Sequence, residues 1–253
     1  MELFYRKSGQ GKPLVILHGL FGSSDNWYTL AKTFAEHFTV YLVDQRNHGQ
    51  SPHNSALDYA VLTEDLKEFM DHHRLERAVL LGHSMGGKTT MNFTVCHPDR
   101  VQDLIIVDIV PKEYPVHHDH ILEGLKSISL PHLNSRSEAD DILSRFVPEP
   151  DVRQFLLKNL ARKSEGGFEW KINLDAIERN IEAMGEGMVF PGSYEGSTLF
   201  LMGSRSNYYL PGDEKLIKKI FPAATIQFLD TGHWVQAERP AEFAEAVLKY
   251  LAV

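Results

Sequence analysis

Six short apolar runs, separated by stretches of helical periodicity, restrict the fold of this sequence more than any other feature. Each run has four or five mostly apolar residues, many of them β-branched or aromatic, which is typical of strands buried on both faces of a parallel sheet. The runs span residues 14–17, 40–43, 78–81, 104–107, 198–201 and 225–229. Because helical spacing over 57–72 and 242–251 alternates with them, the sequence predicts an α/β fold with a doubly wound, mostly parallel sheet. Residues 3–5 would add an edge strand.

The alternation of strand and helix fails once, between Asp108 and Gly196. This stretch has no convincing strand, and several prolines and the pair Gly166-Gly167 interrupt it. Helical periodicity recurs within it over 120–128, 137–146, 151–162 and 174–184. The sequence therefore predicts a helical cap inserted between two strands. The expected organisation is an α/β core of residues 1–110 and 195–253, with a cap of residues 111–194.

The formal charge of −8 over 253 residues argues against nucleic acid or an anionic membrane surface as a partner, since both select for an excess of Lys and Arg. No apolar run reaches the ~20 residues that cross a bilayer, and the first residues lack the apolar segment of a signal peptide. The single cysteine, Cys96, offers no internal disulfide. A cytoplasmic protein without a membrane partner is expected, and its oligomeric state is left open.

Residues 82–87 read Gly-His-Ser-Met-Gly-Gly, directly after the predicted strand 78–81 and before a helical stretch that stops at His97-Pro98. This is the G-x-S-x-G pattern in the strand–turn–helix context of a nucleophile elbow. The glycines two residues either side of Ser84 are expected because the strained turn leaves no room for Cβ atoms. Such a turn exposes the serine hydroxyl above the sheet, at a helix N-terminus that favours negative charge. Ser84 is therefore the candidate nucleophile.

A serine hydroxyl needs a base to remove its proton, and His233 is the best candidate among thirteen histidines. It follows the last predicted strand, so it should lie at the carboxyl edge of the sheet, where open α/β folds bind their ligands. His18 is the rival, but it precedes Ser84, whereas the order on this kind of fold is serine, acid, histidine.

Residues 18–22, His-Gly-Leu-Phe-Gly, follow the predicted strand 14–17 and can bend so that a backbone N–H faces the nucleophile. The N–H groups of Leu20 and Met85 are the predicted oxyanion hole, with Phe21 as the weaker alternative to Leu20. A purely structural turn, with His18 bonded to the backbone, is compatible with this role.

Four motifs together resemble the α/β-hydrolase superfamily, and within it the YbfF-type bacterial esterases. They are the sequences at residues 18–23 (HGLFGS), 44–51 (DQRNHGQS), 82–87 (GHSMGG) and 232–234 (GHW). The resemblance covers the whole chain outside the cap. It implies a serine esterase that works through an acyl-enzyme, needs no cofactor or metal, and acts on small or medium acyl esters or thioesters, acyl-CoA included.

The acid that supports the histidine departs from the superfamily pattern. Its usual place, three residues beyond the glycine after the penultimate strand, holds Ser206 here. Asp108 ends the preceding strand at the same predicted sheet edge, and a carboxylate can stabilise an imidazolium where a hydroxyl cannot. The resemblance to the YbfF-type group points to the same exchange, with Ser206 as an auxiliary group. Asp213 and Asp230 are the rivals; Asp213 also suits a helix cap.

Substrate contacts are predicted from apolar residues of the cap, which exceed what a thin layer of helices can bury. The candidates are Phe21, Phe155, Leu160 and Trp234. A second set of basic residues could meet the phosphates of an acyl-CoA, although charges at helical spacing usually form a solvated face: Lys88, Arg153, Lys158, Arg162 and Lys163. The run of residues 117–120, His-His-Asp-His, is interpreted as a solvated helix start and not as a metal site.

Two other functions remain open from the sequence. A carbon–carbon bond hydrolase or a lyase can use the same three catalytic residues. A ligand-binding protein on a hydrolase scaffold could also retain them, because the fold does not fix the function.

Overall fold

A seven-stranded sheet forms the centre of the computed structural model, which describes residues 1–115 and 118–253. The strands are β1 Tyr5–Ser8, β2 Lys12–Leu17, β3 Phe38–Val43, β4 Ala78–His83, β5 Val101–Val107, β6 Leu160–Arg162, β7 Phe168–Trp170, β8 Thr198–Gly203 and β9 Ala224–Leu229. The central sheet has the order β1-β3-β2-β4-β5-β8-β9, and β6 and β7 pair separately. Only β1 is antiparallel to its neighbour within the central sheet. The predicted α/β class with a mostly parallel sheet is confirmed.

Helices cover both faces of this sheet. They are α1 Tyr28–Phe34, α2 Tyr59–His72, α3 Met85–Cys96, α4 Asp119–Ser127, α5 Arg136–Leu143, α6 Pro150–Leu157, α7 Leu174–Arg179, α8 Ile181–Gly185, α9 Asp213–Ile220, α10 Val235–Glu238 and α11 Pro240–Tyr250. Successive residues of β2 point to opposite faces, so Leu14 packs with α1 and α11 while Val15 packs with α2, α3 and α9. None of the described helices has the length and apolar character to cross a bilayer.

The edge strand differs slightly from its prediction. It begins at Tyr5, not at Leu3, and continues to Ser8 with Tyr5 opposite Val43. Leu3 is buried in the core instead of pairing in the sheet. A buried position for an apolar residue does not by itself distinguish a strand from an extended segment, which explains the shift.

The segment between β5 and β8 contains α4 to α8 and also a hairpin, so the expectation that it holds no strand was wrong. The helix predicted over 151–162 ends at Leu157, because residues 160–162 pair with 168–170 in the antiparallel hairpin β6–β7. Gly166 and Gly167 adopt positive φ values of 98° and 81° in the connecting turn. The helix predicted over 174–184 is divided into α7 and α8 at Asn180. We call residues 111–194 the insertion.

One apolar cluster joins the insertion to the core. Leu122, Leu156 and Ile177 of the insertion pack in the same cluster as Phe21, in the loop after β2, and Met85, the first residue of α3; both lie at the carboxyl edge of the sheet. The insertion therefore packs directly over that edge. The division of the chain into two core segments and a separate cap stays a prediction.

Candidate active site

Ser84 stands alone between the end of β4 and the start of α3. Its backbone has φ 53° and ψ −117°, a conformation that L-residues seldom adopt and that the surroundings must impose. The two glycines of the motif make this possible. A Cβ on Gly82 would lie 2.3 Å from the carbonyl oxygen of Gly86, and a Cβ on Gly86 would lie 2.5 Å from that of Leu17. No larger residue fits at either place without moving backbone.

Asp108 directly follows β5 and is completely buried, with φ 48°. Its carboxylate accepts three hydrogen bonds: from Nδ1 of His233 at 2.7 Å, from Oγ of Ser206 at 2.5 Å and from the backbone N–H of Gly203 at 2.8 Å. Because Nδ1 of His233 donates to Asp108, Nε2 of the neutral ring is left with a free electron pair. Ser84 and His233 line the same cavity.

Ser206 donates a hydrogen bond to the acid, and among the described residues no hydrogen bond joins it to the base. Its hydroxyl donates to the same carboxylate oxygen, Oδ2, that His233 uses, and it accepts the backbone N–H of Tyr208 at 3.2 Å. Thus the residue in the superfamily's usual acid position helps to hold Asp108 in place.

The two rival acids are occupied elsewhere. Asp213 pairs with Lys112 at 2.5 Å and accepts the backbone N–H of Leu210 at 2.8 Å. Asp230 is largely exposed and pairs with Arg205 at 3.0 Å. Neither has a hydrogen bond to His233 among the described residues, which leaves Asp108 as the carboxylate in contact with the histidine.

Aromatic side chains enclose the His233 ring. Tyr208 stacks on it with ring centres 4.0 Å apart and planes 17° from parallel, and Trp234 meets it edge-on at 5.9 Å. On a third side, the ring of His83 lies 4.7 Å from that of His233, centre to centre, and its Nε2 donates to the backbone carbonyl of His233 at 3.0 Å. Burial holds the pKa of His83 well below its usual value, so this ring is neutral near pH 7. These contacts leave the imidazole little freedom to rotate.

The turn after β2 presents backbone N–H groups near Ser84. The N–H of Gly22 donates to the carbonyl of Gly19 at 2.9 Å, and Phe21 has φ 60°. The N–H of Phe21 donates to Nε2 of His48 at 3.2 Å, so it is committed away from the nucleophile. Leu20 lines the cavity. Met85 is the first residue of α3, where N–H groups have no partner within the helix. The geometry therefore favours Leu20 over Phe21, together with Met85, as oxyanion donors.

His18 is not available as a base. Its Nε2 accepts the backbone N–H of Gln45 at 3.0 Å, which puts the proton on Nδ1, 2.8 Å from the carbonyl of Gly19. Burial lowers the pKa of His18 to about 4 and, with the nearby His18 ring, that of His48 to about 3. Both histidines are neutral structural members of the loops. The sequence reasoning did not single out His48 for this role.

The cavity above Ser84 has a volume of about 250 Å³ and mostly apolar walls. Three of the four predicted substrate contacts line it, namely Phe21, Phe155 and Trp234; the rings of Phe155 and Trp234 are 5.5 Å apart. Leu160 does not belong to its described lining, and that expectation is corrected. It lies on β6, completely buried in the apolar cluster of the insertion, because the chain leaves α6 before reaching it.

Several lining residues were missed by sequence reasoning. Tyr59 comes from α2, Tyr114 from the start of the insertion and Tyr208 from the loop after β8. None of them belongs to a motif, and only the packing of the insertion on the core brings them together. Their positions carried no local signal in the sequence.

Of the basic residues considered as contacts for the phosphates of acyl-CoA, Lys88 and Arg153 already bond to other groups of the protein. Lys88 is buried and donates to the carbonyls of Gly185 (3.3 Å) and Glu186 (2.5 Å), and burial lowers its pKa to about 8. Arg153 pairs with Asp140 at 2.8 Å. In the residues that the structure describes, no group of three His, Cys, Asp or Glu side chains is arranged to hold a metal; His117 of the run 117–120 lies outside them.

Comparison with known proteins identifies the family of this chain. The family profile described as "alpha/beta hydrolase fold" matches residues 12–128. The sequence is 38% identical over 253 residues to the sn-1-specific diacylglycerol lipase ABHD11 of Danio rerio, covering 96% of this chain and 79% of that protein. This chain belongs to the α/β-hydrolase family. The sequence is also 33% identical to another protein, esterase YbfF of Escherichia coli K12, covering 94% of this chain and 92% of YbfF.

A solved structure extends the likeness to the whole α/β-hydrolase domain and the insertion. A structure described as a marine microorganism esterase superposes with a TM-score of 0.96 at 44% identity, covering 98% of this chain and 99% of that one. The predicted resemblance to YbfF-type esterases is confirmed, and the protein is a carboxylic ester hydrolase.

Proposed function

We propose that this hydrolase cleaves carboxylic esters of short and medium acyl chains through an acyl-enzyme on Ser84. The observation that carries the proposal is that His233, which lines the same cavity as Ser84, donates a hydrogen bond to the buried carboxylate of Asp108 behind it. A nucleophile, a base and a group that orients the base are the three parts that such a mechanism requires.

In the proposed first half-reaction, Nε2 of His233 takes the proton of Ser84 as its oxygen attacks the ester carbonyl. The N–H groups of Leu20 and Met85 stabilise the oxyanion, and Asp108 stabilises the imidazolium. The imidazolium then protonates the alcohol, which leaves as the acyl-enzyme forms. In the second half-reaction, His233 takes a proton from water as the water oxygen attacks the carbonyl of the acyl-enzyme. The protonated His233 then returns a proton to the Ser84 oxygen, and the carboxylic acid product departs.

The size of the cavity supports an acyl group of limited length. An apolar cavity of about 150 Å³ accommodates the six carbons of benzene, so about 250 Å³ admits roughly ten carbons. This estimate favours acyl chains from acetyl to about decanoyl.

The polarity of the walls supports an unsubstituted hydrocarbon chain. The hydroxyl of Tyr59 donates to the carbonyl of Met184 at 2.9 Å, and that of Tyr114 donates to the carbonyl of Tyr208 at 2.7 Å. These donors are therefore already used within the protein. A hydroxylated or charged acyl group would lose its hydration without gaining a donor from either of these two tyrosines.

The leaving group is proposed to be an uncharged alcohol. Lys88 and Arg153, two of the cations that could have met phosphates, are held by carbonyls and by Asp140. The name of the Danio rerio relative, a diacylglycerol lipase, is compatible with a neutral lipid ester as substrate. The thioester acyl-CoA, with its anionic leaving group, is the less favoured substrate.

The test is turnover of p-nitrophenyl butyrate by Ser84→Ala. We expect kcat to fall by at least ~10⁴-fold, because the nucleophile is lost. Ser204→Ala, an exposed serine in the loop after β8, is the matched control and should retain wild-type rates. A Ser84→Ala protein with kcat within tenfold of wild type would refute the mechanism.

A further inference from the structure

The turn that carries Leu20 is held in an unfavourable conformation. Gly19 to Gly22 form a four-residue turn closed by one backbone hydrogen bond, and Phe21, its third residue, has φ 60°. This place in such a turn normally requires glycine or asparagine, because a larger side chain is strained at positive φ. A phenylalanine stays there only if its surroundings hold it.

Both backbone polar groups of Phe21 are held by side chains from elsewhere. Its N–H donates to Nε2 of His48, which lies in a core loop. Its carbonyl accepts a hydrogen bond of 2.7 Å from Nδ2 of Asn159, which lies 138 residues away in the insertion. The two peptide groups that flank Phe21 are therefore each fixed by a different part of the molecule.

Asn159 is itself rigidly placed between α6 and β6. It is almost completely buried, and its Nδ2 also donates to the carbonyl of Leu156 at 3.1 Å. Its backbone N–H donates to the same carbonyl at 3.1 Å, and its own carbonyl accepts the N–H of Lys171 at 2.8 Å. A side-chain amide has two N–H donors, and both are used here. An aspartate would offer no donor and would place an oxygen against the Phe21 carbonyl.

From this geometry we infer that Asn159 is a positioning residue: it holds the Gly19–Gly22 turn in the form that directs the Leu20 N–H to the reacting carbonyl. The inference rests on the proposed esterase mechanism. Its consequence is that the insertion takes part in turnover as well as in enclosing the substrate. If the hydrogen bond from Asn159 to the Phe21 carbonyl is lost, the turn can relax to a conformation that is less strained for phenylalanine. The Leu20 N–H, one of the two oxyanion donors, is then misdirected.

The variants Asn159→Asp and Asn159→Ala test this role with p-nitrophenyl butyrate. Loss of a complete oxyanion donor costs about 10²–10³-fold in kcat, and a misdirected donor should cost part of that. We expect kcat to fall roughly tenfold in Asn159→Ala and further in Asn159→Asp, with KM changed less than about threefold, since the donor acts on charge that develops in the transition state.

A trifluoromethyl ketone separates positioning from general damage. It adds to Ser84 and carries an oxyanion, so its inhibition constant should rise in parallel with the loss of kcat/KM. The inhibition constant of 1-butanol, an uncharged ligand without an oxyanion, should stay near its wild-type value, because its binding does not depend on the oxyanion donors. Equal weakening of both inhibitors would indicate a distorted cavity and would contradict the inference.

Asn180→Asp is the matched control. Nδ2 of Asn180 also joins the insertion to a core carbonyl, that of Ser55 at 2.9 Å, and also donates to a local helix carbonyl, that of Ala176 at 2.7 Å. The Asn180→Asp variant therefore loses the same kind of contact between insertion and core, but at a place remote from the Gly19–Gly22 turn. Its kcat should stay within about twofold of wild type.

The failures can be told apart. If the wild-type protein shows no Ser84-dependent turnover, the proposed function fails and this inference fails with it. If turnover depends on Ser84 but folded Asn159→Ala keeps kcat within twofold of wild type, only the inference is overturned. Thermal melting identifies a variant that has not folded. If Asn159→Ala does not fold, the kcat of Asn159→Asp tests the inference in its place.

Discussion

At the carboxyl edge of the sheet, the fully buried carboxylate of Asp108 accepts three hydrogen bonds, whereas charged side chains of the insertion also pair at its exposed surface. Lys126 and Glu178, both more than two-fifths exposed, are an example from the insertion. Buried polar groups must have their partners in fixed places, while exposed pairs contribute little. The difference suggests that the sheet edge supplies the proposed chemistry and that the insertion mainly supplies shape.

The largest effect expected at the sheet edge follows from removing the charge of Asp108. Asp108→Asn should lower kcat by about 10⁴-fold, because the imidazolium of His233 loses its anionic partner and the ring can adopt the wrong tautomer. Ser206→Ala removes one hydrogen bond from the same carboxylate and should cost only about tenfold. Steady-state rates with p-nitrophenyl butyrate measure both. A folded Asp108→Asn protein with near-normal kcat would remove Asp108 from the mechanism.

Acid should destabilise the sheet-edge loops through their buried histidines. The pKa is lowered to about 4 in His18 and about 3 in His48, so between these values and 6.5 the unfolded chain binds more protons than the folded chain. Their contribution to stability is fully present above pH 6.5 and is lost as the pH falls toward 4. At pH 5 each of the two histidines lowers the free energy of unfolding by about 2 kcal/mol relative to neutral pH.

Urea unfolding at pH 7.5 and pH 5.0 measures this loss as a decrease in the free energy of unfolding. His48→Gln, which has no titrating ring, should show a pH dependence that is weaker by about 2 kcal/mol. An unchanged pH dependence in His48→Gln would show that this histidine is not held neutral by burial.

The smallest expected effect concerns the insertion, where Phe155 should select the acyl chain. Phe155→Ala should change the ratio of kcat/KM for octanoyl and butyryl esters by about tenfold, since one methylene in an apolar pocket is worth about 1–3 kcal/mol. Leu160→Ala is the control in the same segment. It should lower the free energy of unfolding by about 2–5 kcal/mol and leave the ratio unchanged, because Leu160 is buried away from the cavity. If both variants leave the ratio unchanged, the insertion does not select the chain.

The sequence predicted the core better than the insertion for a physical reason. Buried parallel strands need continuous apolar runs, and the tight turn at Ser84 needs Gly82 and Gly86, so both leave local signals. Asp108 could be placed near His233 because β5 is separated by only β8 from β9, the strand before His233, and the carboxyl ends of these parallel strands lie at one edge. The catalytic roles assigned to these residues stay proposals.

Other features depend on contacts between distant segments and left no local signal. The β6–β7 hairpin has only three residues in each strand, so helical periodicity over 151–162 was misleading, and Leu160 was placed in the wrong environment. His48 and Asn159 bond to the backbone of Phe21, which is 27 and 138 residues away from them. Tyr208 stacks on His233, which is 25 residues away. Only the packed structure shows which groups these are.

The central claim, that Ser84 is a nucleophile activated at the sheet edge, is tested most directly by its reaction with an alkyl fluorophosphonate. Intact-mass and peptide analysis should find one adduct per chain, on Ser84, with simultaneous loss of multiple-turnover esterase activity. The rate of labelling should fall by orders of magnitude in Asp108→Asn but stay within about twofold of wild type in the control Asn180→Asp. An unlabelled Ser84 in a protein that still turns over esters would contradict the account, and so would labelling of Ser84 in a protein without multiple turnover.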